Sequence, residues 1–530
     1  MSEKGQFGKV RGGCCGHPVE RVPATAVRNE SDGLSRRNFL VGLGTAAVAT
    51  WAVSEAAAKT RGRPRLGAPG APPLKPLVVQ PALTYQIHQR RELTSWRSWG
   101  GLHTKKDVEE EKQRITAELD AMAATADFPL NVLPVRGVAN GDDAAQVRDT
   151  ECDVTLIYAA GGGGNLLDIM TSTKRPTVMF LRHRSGPVSL WYEIVHPRFL
   201  RKTVDECAPL SIDVNDVVVD EYADVLWRLR ALYGLKNAWG ERIVAIGDAS
   251  GWGEGGRKAP QLARDIWHIE IIPVSYDDLG KRFKTAAADD KRVAQAKADA
   301  HAYLKPRSVK LETRRKDVEN GFLLTDVFKE IMREANARAI TVNHCMGTIM
   351  QVTQTTACLP LCLLNDEGSM AFCESDFVVI PSGILLHHIS GLPSFLQDPT
   401  TPHHGVVTLA HCTGPRKMDG RKLEPVRIMT HFESDFGAAP KVEFRKGQVI
   451  TCIDPCFSAK RWLGFRGETL ETPFMDICRA QVDVTIEGNW EKLLQEMGGF
   501  HWMLCYGDYR KELGYACRKA GIEWVDVSKG

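Results

Sequence analysis

The chain has 530 residues, of which 43% are hydrophobic and 25% charged, with a formal net charge of +3. This is ordinary for a globular protein and leaves room for about three domains. It excludes a chain dedicated by charge to nucleic acid, and no basic stripe interleaved with aromatic residues supports such a partner. The 14 cysteines are scattered. Cys358–Cys362 and Cys452–Cys456 are C-x3-C pairs without a second pair at zinc-ribbon spacing, so they read as buried free thiols.

The N-terminal segment 1–58 reads as an export signal. Ser35-Arg36-Arg37-Asn38-Phe39-Leu40 follows a long polar stretch and precedes a Gly- and Ala-rich apolar run to Val53, short for a membrane span. Ala56-Ala57-Ala58 offers small residues for cleavage. The twin Arg36-Arg37 points to the bacterial twin-arginine translocase, which carries folded proteins out of the cytoplasm. A periplasmic or other extracytoplasmic location is therefore expected, with the cytoplasm as the alternative. Whether the signal is cleaved or anchors the chain is open. Residues 59–75, rich in Pro, Gly and Arg, read as a linker.

From residue 76 the pattern is α/β. Leu77–Pro81, Val154–Tyr158 and Thr177–Leu181 are short apolar runs of the kind buried on both faces of a parallel sheet. A long polar helix is predicted over Thr104–Thr125. Gly161-Gly162-Gly163-Gly164-Asn165 closes one strand and opens a helix. It lacks a nucleotide-binding pattern, so a tight turn is the plain reading, although such a loop can bring backbone N–H groups to a ligand. A second α/β unit starts near Trp239, with strands at Arg242–Asp248 and Ile269–Val274 and a helix at Pro260–Trp267 between them. Lys281–Thr313 reads as a charged, solvated helix pair.

Beyond Ala339–Val342 strands dominate, at Val406–Ala410, Val426–Thr430, Lys441–Phe444, Gln448–Cys452 and Val482–Ile486. A β-barrel-like region is expected. The organisation this implies is two N-terminal Rossmann-like α/β domains, 76–236 and 237–340, followed by a β-rich domain, 341–530.

Three polar residues stand out there. Glu374 precedes the apolar run Phe377-Val378-Val379-Ile380, and Asp398 follows Ile384-Leu385-Leu386. Carboxylates beside buried segments need a partner, and a cation is the natural one. His501 lies in Phe500-His501-Trp502 near the C-terminus. Two carboxylates and an imidazole form a hard-to-borderline ligand set suited to a divalent ion such as Mn²⁺. His387-His388 falls in an apolar helical stretch and reads as core or boundary. His403-His404 falls in a Pro-rich loop and reads as solvated.

Leu364-Asn365-Asp366-Glu367-Gly368, Cys373-Glu374-Ser375-Asp376, Gly391-Leu392-Pro393-Ser394-Phe395-Leu396-Gln397-Asp398 and Phe500-His501-Trp502-Met503-Leu504-Cys505-Tyr506-Gly507-Asp508-Tyr509-Arg510 together resemble the metal-site region of the L-fucose/L-arabinose isomerase family. The resemblance is strongest over residues 340–530. It implies a fucose isomerase-like fold and a metal-dependent aldose–ketose isomerase working through an enediol on a monosaccharide. Glu374, Asp398 and His501 would be the metal ligands, with Glu374 and Asp398 doubling as acid/base groups. His411, after the strand Val406–Ala410, His344 at the cleft entrance and Gly163 in the glycine loop would be substrate-side positions. The resemblance also implies a homo-oligomer, a trimer or hexamer, and Trp191, Trp227 or Trp239 could pack at its boundary. The export signal departs from the cytoplasmic habit of these isomerases. A non-catalytic sugar-binding protein, or an epimerase or hydrolase on the same scaffold, is the alternative.

Overall fold

The computed structural model describes residues 71–97, 102–186 and 212–529. The twin-arginine segment, its cleavage region and Trp191 lie outside them. The described residues all fall within Glu55–Gly530.

The first sheet is parallel throughout. Its strands run in the order Leu130–Val132, Leu77–Thr84, Val154–Ala159, Thr177–Leu181 and Val217–Val219, and Arg136–Val138 pairs with the far end of Leu77–Thr84. Val154–Ala159 and Thr177–Leu181 are buried at every position, as sandwiched parallel strands require. The polar helix runs over Lys105–Ala123. Thr104 starts it with a reciprocal capping box, its hydroxyl accepting from Asp107 N while the Asp107 carboxylate accepts from Thr104 N.

The second sheet is also parallel, in the order Met370–Cys373, Ala339–Val342, Arg242–Ile246, Glu270–Val274. It draws strands from both sides of residue 340, so the change to strand-rich sequence there does not coincide with a sheet edge. Helices Cys358–Glu367 and Ile380–Ser390 interrupt the strand-rich stretch. Ile380–Ser390 is buried all round and packs on Tyr222–Ala238. Gly234 makes that approach possible, because a Cβ there would sit 2.3 Å from Ile389.

The charged stretch corrects one expectation. Helices cover Tyr276–Ala288 and Asp290–Leu304, but not the residues up to 313. Pro306 cannot continue a helix, and Val309–Leu311 becomes a strand pairing with Val426–Ile428.

The third sheet has seven strands, in the order Ala480–Thr485, Val406–His411, Phe395–Pro399, Trp502–Tyr506, Val449–Pro455, Arg461–Glu468, Glu523–Asp526. Its pairs are antiparallel except the last. The sheet curls into a half-barrel. Phe395–Pro399 changes partner midway. Phe395–Gln397 pairs with Trp502–Leu504, while Asp398–Pro399 pairs with Leu409–Ala410. Mixed α/β architecture with parallel sheets and a curled sheet is the result. Among the described residues no helix is long and apolar enough to cross a membrane.

Candidate metal centre

Strand Met370–Cys373 ends in a turn in which Glu374 and Ser375 both adopt left-handed backbone, with φ of 63° and 49°. Two successive non-glycine residues in that region are strained and persist only where neighbours hold them. Ser375 N donates to Thr341 Oγ1 at 3.1 Å, and Ser375 O accepts from Ser250 N at 3.2 Å. Asp376 Oδ1 accepts from Val378 N at 3.0 Å and from Trp252 N at 3.2 Å. The turn is thereby tied to the glycine-rich loop after Arg242–Ile246.

The curled sheet brings the other groups. Gln397 pairs with Trp502, so one step further along the antiparallel register Asp398 and His501 face each other where the strands part. Ala410 is the partner of Asp398 on the other side, and His411 closes that strand.

The four side chains fall into two overlapping groups that share His411. His501 Nε2 lies 3.2 Å from Asp398 Oδ1 and 3.4 Å from Glu374 Oε2. His411 Nε2 lies 3.6 Å from Glu374 Oε1. Potential ligand atoms of Asp398, His411 and His501 sit within 4.8 Å of one another, as do those of Cys373, Glu374 and His411. Asp398 Oδ1, His411 Nε2 and His501 Nε2 are buried and complete no hydrogen bond within the protein. Buried polar atoms are otherwise nearly always satisfied, and these three are aimed at one spot. The donor set of carboxylate oxygens and imidazole nitrogens fits a divalent cation. The histidine side chains are 0–2% exposed, whereas those of Glu374 and Asp398 are 25% and 32% exposed. An ion here would be backed by imidazole and open on its carboxylate side.

Asp376 fixes the back of the site. Its Oδ2 accepts from His501 Nδ1 at 2.8 Å, which holds the ring and leaves Nε2 for the cluster. The His501 ring stands edge-on to Trp252 and Phe500, which stack on each other at 4.1 Å.

Charge follows the geometry. Burial disfavours the His501 imidazolium, but Asp376, Asp398 and Glu374 outweigh it and raise its pKa to about 11. His411 is likewise pushed up, burial being outweighed by Glu374 and Asp398. Burial opposes ionisation of Glu374, yet His411 and His501 hold it well below the usual carboxylate range.

Of the positions read from sequence, Glu374, Asp398, His501 and His411 come together. His411 stands within ligand reach and not only on the substrate side. His344 and Gly163 take no part in the cluster's ion pairs or hydrogen bonds. His344 is exposed, with φ of 50°, and Gly163 precedes helix Gly164–Thr171 beside the first sheet. His387 and His388 are core residues. His387 Nδ1 donates to Leu392 O at 2.9 Å, and His388 Nε2 meets Glu241 Oε2 at 2.8 Å. His403 and His404 are exposed. Sequence pattern does not single out Asp376 or Cys373. Their only sequence signal is adjacency to Glu374.

No family model matches the chain, and no curated protein matches it.

Proposed function

We propose that this protein is a divalent-metal-dependent aldose–ketose isomerase of the L-fucose/L-arabinose isomerase kind, with Glu374, Asp398 and His501 holding the ion. One observation carries the reading. Carboxylates and imidazole converge with orphaned ligand atoms on a site whose carboxylate side is open.

Mn²⁺ is the ion proposed here, and when bound it would polarise substrate oxygens as a Lewis acid. The protein's own part is positional and acid–base. His501 is held by Asp376 and cannot swing away. Glu374 and Asp398, on the open side, would take a proton from C2 of an open-chain aldose and return it at C1 through an enediol. Trp252 and Phe500 stack on each other beside His501. The two parallel sheets and the curled sheet are consistent with two Rossmann-like domains followed by a barrel-like domain, as in that family. A monosaccharide substrate, a homo-oligomer and export by the twin-arginine route belong to the same proposal. Folding before export would let Mn²⁺ load ahead of tighter-binding ions.

The test is solvent deuterium incorporation at C2 across a panel of aldoses, with and without Mn²⁺. Mn²⁺-dependent exchange accompanied by ketose is the expected result. Tight sugar binding without exchange would replace the reading with a non-catalytic binding protein.

A further inference from the structure

Strands Ala339–Val342 and Met370–Cys373 are parallel neighbours, and Val342 is the partner of Cys373 at their shared end. The first strand leaves through Asn343 and His344, the latter in left-handed backbone with φ of 50°. Cys345 then opens a single π-helical turn, Cys345–Ile349. This path sets the Cys345 sulfur 3.5 Å from the sulfur of Cys373. Both cysteines are free thiols. A disulfide holds its sulfurs about 2.05 Å apart, so closing the pair needs an approach of about 1.5 Å.

The two thiols differ in access. Cys373 is 2% exposed, belongs to the core around the second sheet and is fixed by its strand ladder. Cys345 is half-buried on the rim of that core, between exposed His344 and exposed Met346. A reagent from solvent meets Cys345 first, and Cys373 stands behind it.

We propose that Cys345 and Cys373 are a redox-active dithiol that reacts with low-molecular-weight disulfides, with Cys345 as the attacking thiol and Cys373 as the resolving one. The Cys345 thiolate attacks one sulfur of the small disulfide and breaks its S–S bond. A mixed disulfide forms, and one small thiol leaves with the proton given up by Cys345. The Cys373 thiolate then attacks the Cys345 sulfur, and the second small thiol leaves with the proton of Cys373. The pair loses two electrons and two protons, and the small disulfide gains them. A reducing compartment keeps such a pair open and an oxidising one closes it. The bond ties the strand end immediately before Glu374 to the segment Cys345–Ile349. This inference goes beyond the isomerase reading and stands without it.

The experiment adds excess oxidised glutathione to the reduced, folded full-length protein and alkylates the thiols that remain. Cleavage after glutamate parts Cys345 from Cys373 at Glu367, and mass spectrometry reads the linkage. The expected result is a Cys345–Cys373 disulfide that dithiothreitol reverses. Cys373→Ser should stop at a glutathione adduct on Cys345, and Cys345→Ser should show neither adduct nor linkage at Cys373. Cys373→Ser alters a core position, so if it does not fold, the wild-type linkage and Cys345→Ser, on the rim, decide. A wild type that keeps both thiols free overturns the proposal. So does a linkage of Cys373 to another cysteine, or an adduct on Cys373 in Cys345→Ser.

Discussion

Among the described residues, two clusters join buried histidines to carboxylates, and they differ in one ingredient. In the first, Glu241 Oε2 meets His388 Nε2 at 2.8 Å and Arg338 Nη2 at 3.2 Å, while Glu241 Oε1 accepts from Arg242 N at 3.1 Å. His387 beside it gives Nδ1 to a carbonyl, and burial pushes its pKa down to about 3, so it is neutral. In the second, the ion-pair partners of Glu374, Asp376 and Asp398 are His411 and His501, and among the described residues no lysine or arginine forms an ion pair with them. The arginine closes the first cluster into a clamp between helix Ile380–Ser390 and the start of strand Arg242–Ile246. Its absence from the second leaves carboxylates whose charged partners are imidazolium rings alone, a set that a cation could complete by displacing their protons. The histidines are buried in both clusters and the residue types are alike, so composition alone does not separate a structural cluster from a site. The charge balance and the unmet ligand atoms do.

The largest contrast is expected from Glu374→Gln. The shape is nearly kept, but a charged ligand and a base are lost. Exchange at C2 should fall by about 10²–10⁴, with Mn²⁺ affinity reduced and the melting temperature little changed. Equal exchange in wild type and variant would remove Glu374 from the reaction.

Glu241→Ala should behave in the opposite way. Breaking a buried charge pair by deleting one partner costs about 3–5 kcal/mol, so urea unfolding should shift strongly toward lower denaturant. The Mn²⁺ affinity of the protein that remains folded should be that of wild type. A loss of metal affinity with no loss of stability would erase the distinction between the clusters.

Asp376→Asn tests whether the second cluster is held from behind. Partners that orient a metal-binding imidazole are typically worth 10–100-fold in affinity, and a drop of about that size in Mn²⁺ binding is expected. No change would mean that His501 is positioned by packing against Trp252 and Phe500.

Much of this was legible from local pattern. Val154–Ala159 and Thr177–Leu181 read as buried strands because sandwiched parallel strands are apolar at every position. Glu374 and Asp398 stand out because each neighbours an apolar run, and His501 through the segment that resembles the isomerase family. What was illegible depends on residues distant in sequence. The His388–Glu241 pair spans 147 residues. Val309–Leu311 becomes a strand only because Val426–Ile428 is there to pair with it. Asp376 is two residues from Glu374, but its role as the support of His501 exists only once the left-handed turn points the two carboxylates in different directions. The same holds for Cys345, which reaches Cys373 because the strand before it, Ala339–Val342, pairs with Met370–Cys373.

Glu512 sharpens the comparison with an intermediate case. It is buried, and Arg230 stands 3.7 Å away, but that arginine is committed to Asp127 at 2.7 Å. Burial therefore prevails over Arg230 and raises the carboxyl pKa to about 7. Because the folded-state value lies above the ordinary one, the folded state favours the protonated form. The stability this contributes is fully present below the ordinary carboxyl range and is lost as pH rises toward about 7. Glu512→Gln keeps the neutral shape at every pH. The variant should match wild type near pH 4.5 and exceed it by on the order of 1–3 kcal/mol near pH 8. Urea unfolding of both proteins across that range measures the difference directly. A difference that does not vary with pH would mean that Arg230 compensates Glu512 as fully as Arg338 compensates Glu241. In that event the nearness of an arginine, and not its freedom from other partners, would decide which buried carboxylates are closed.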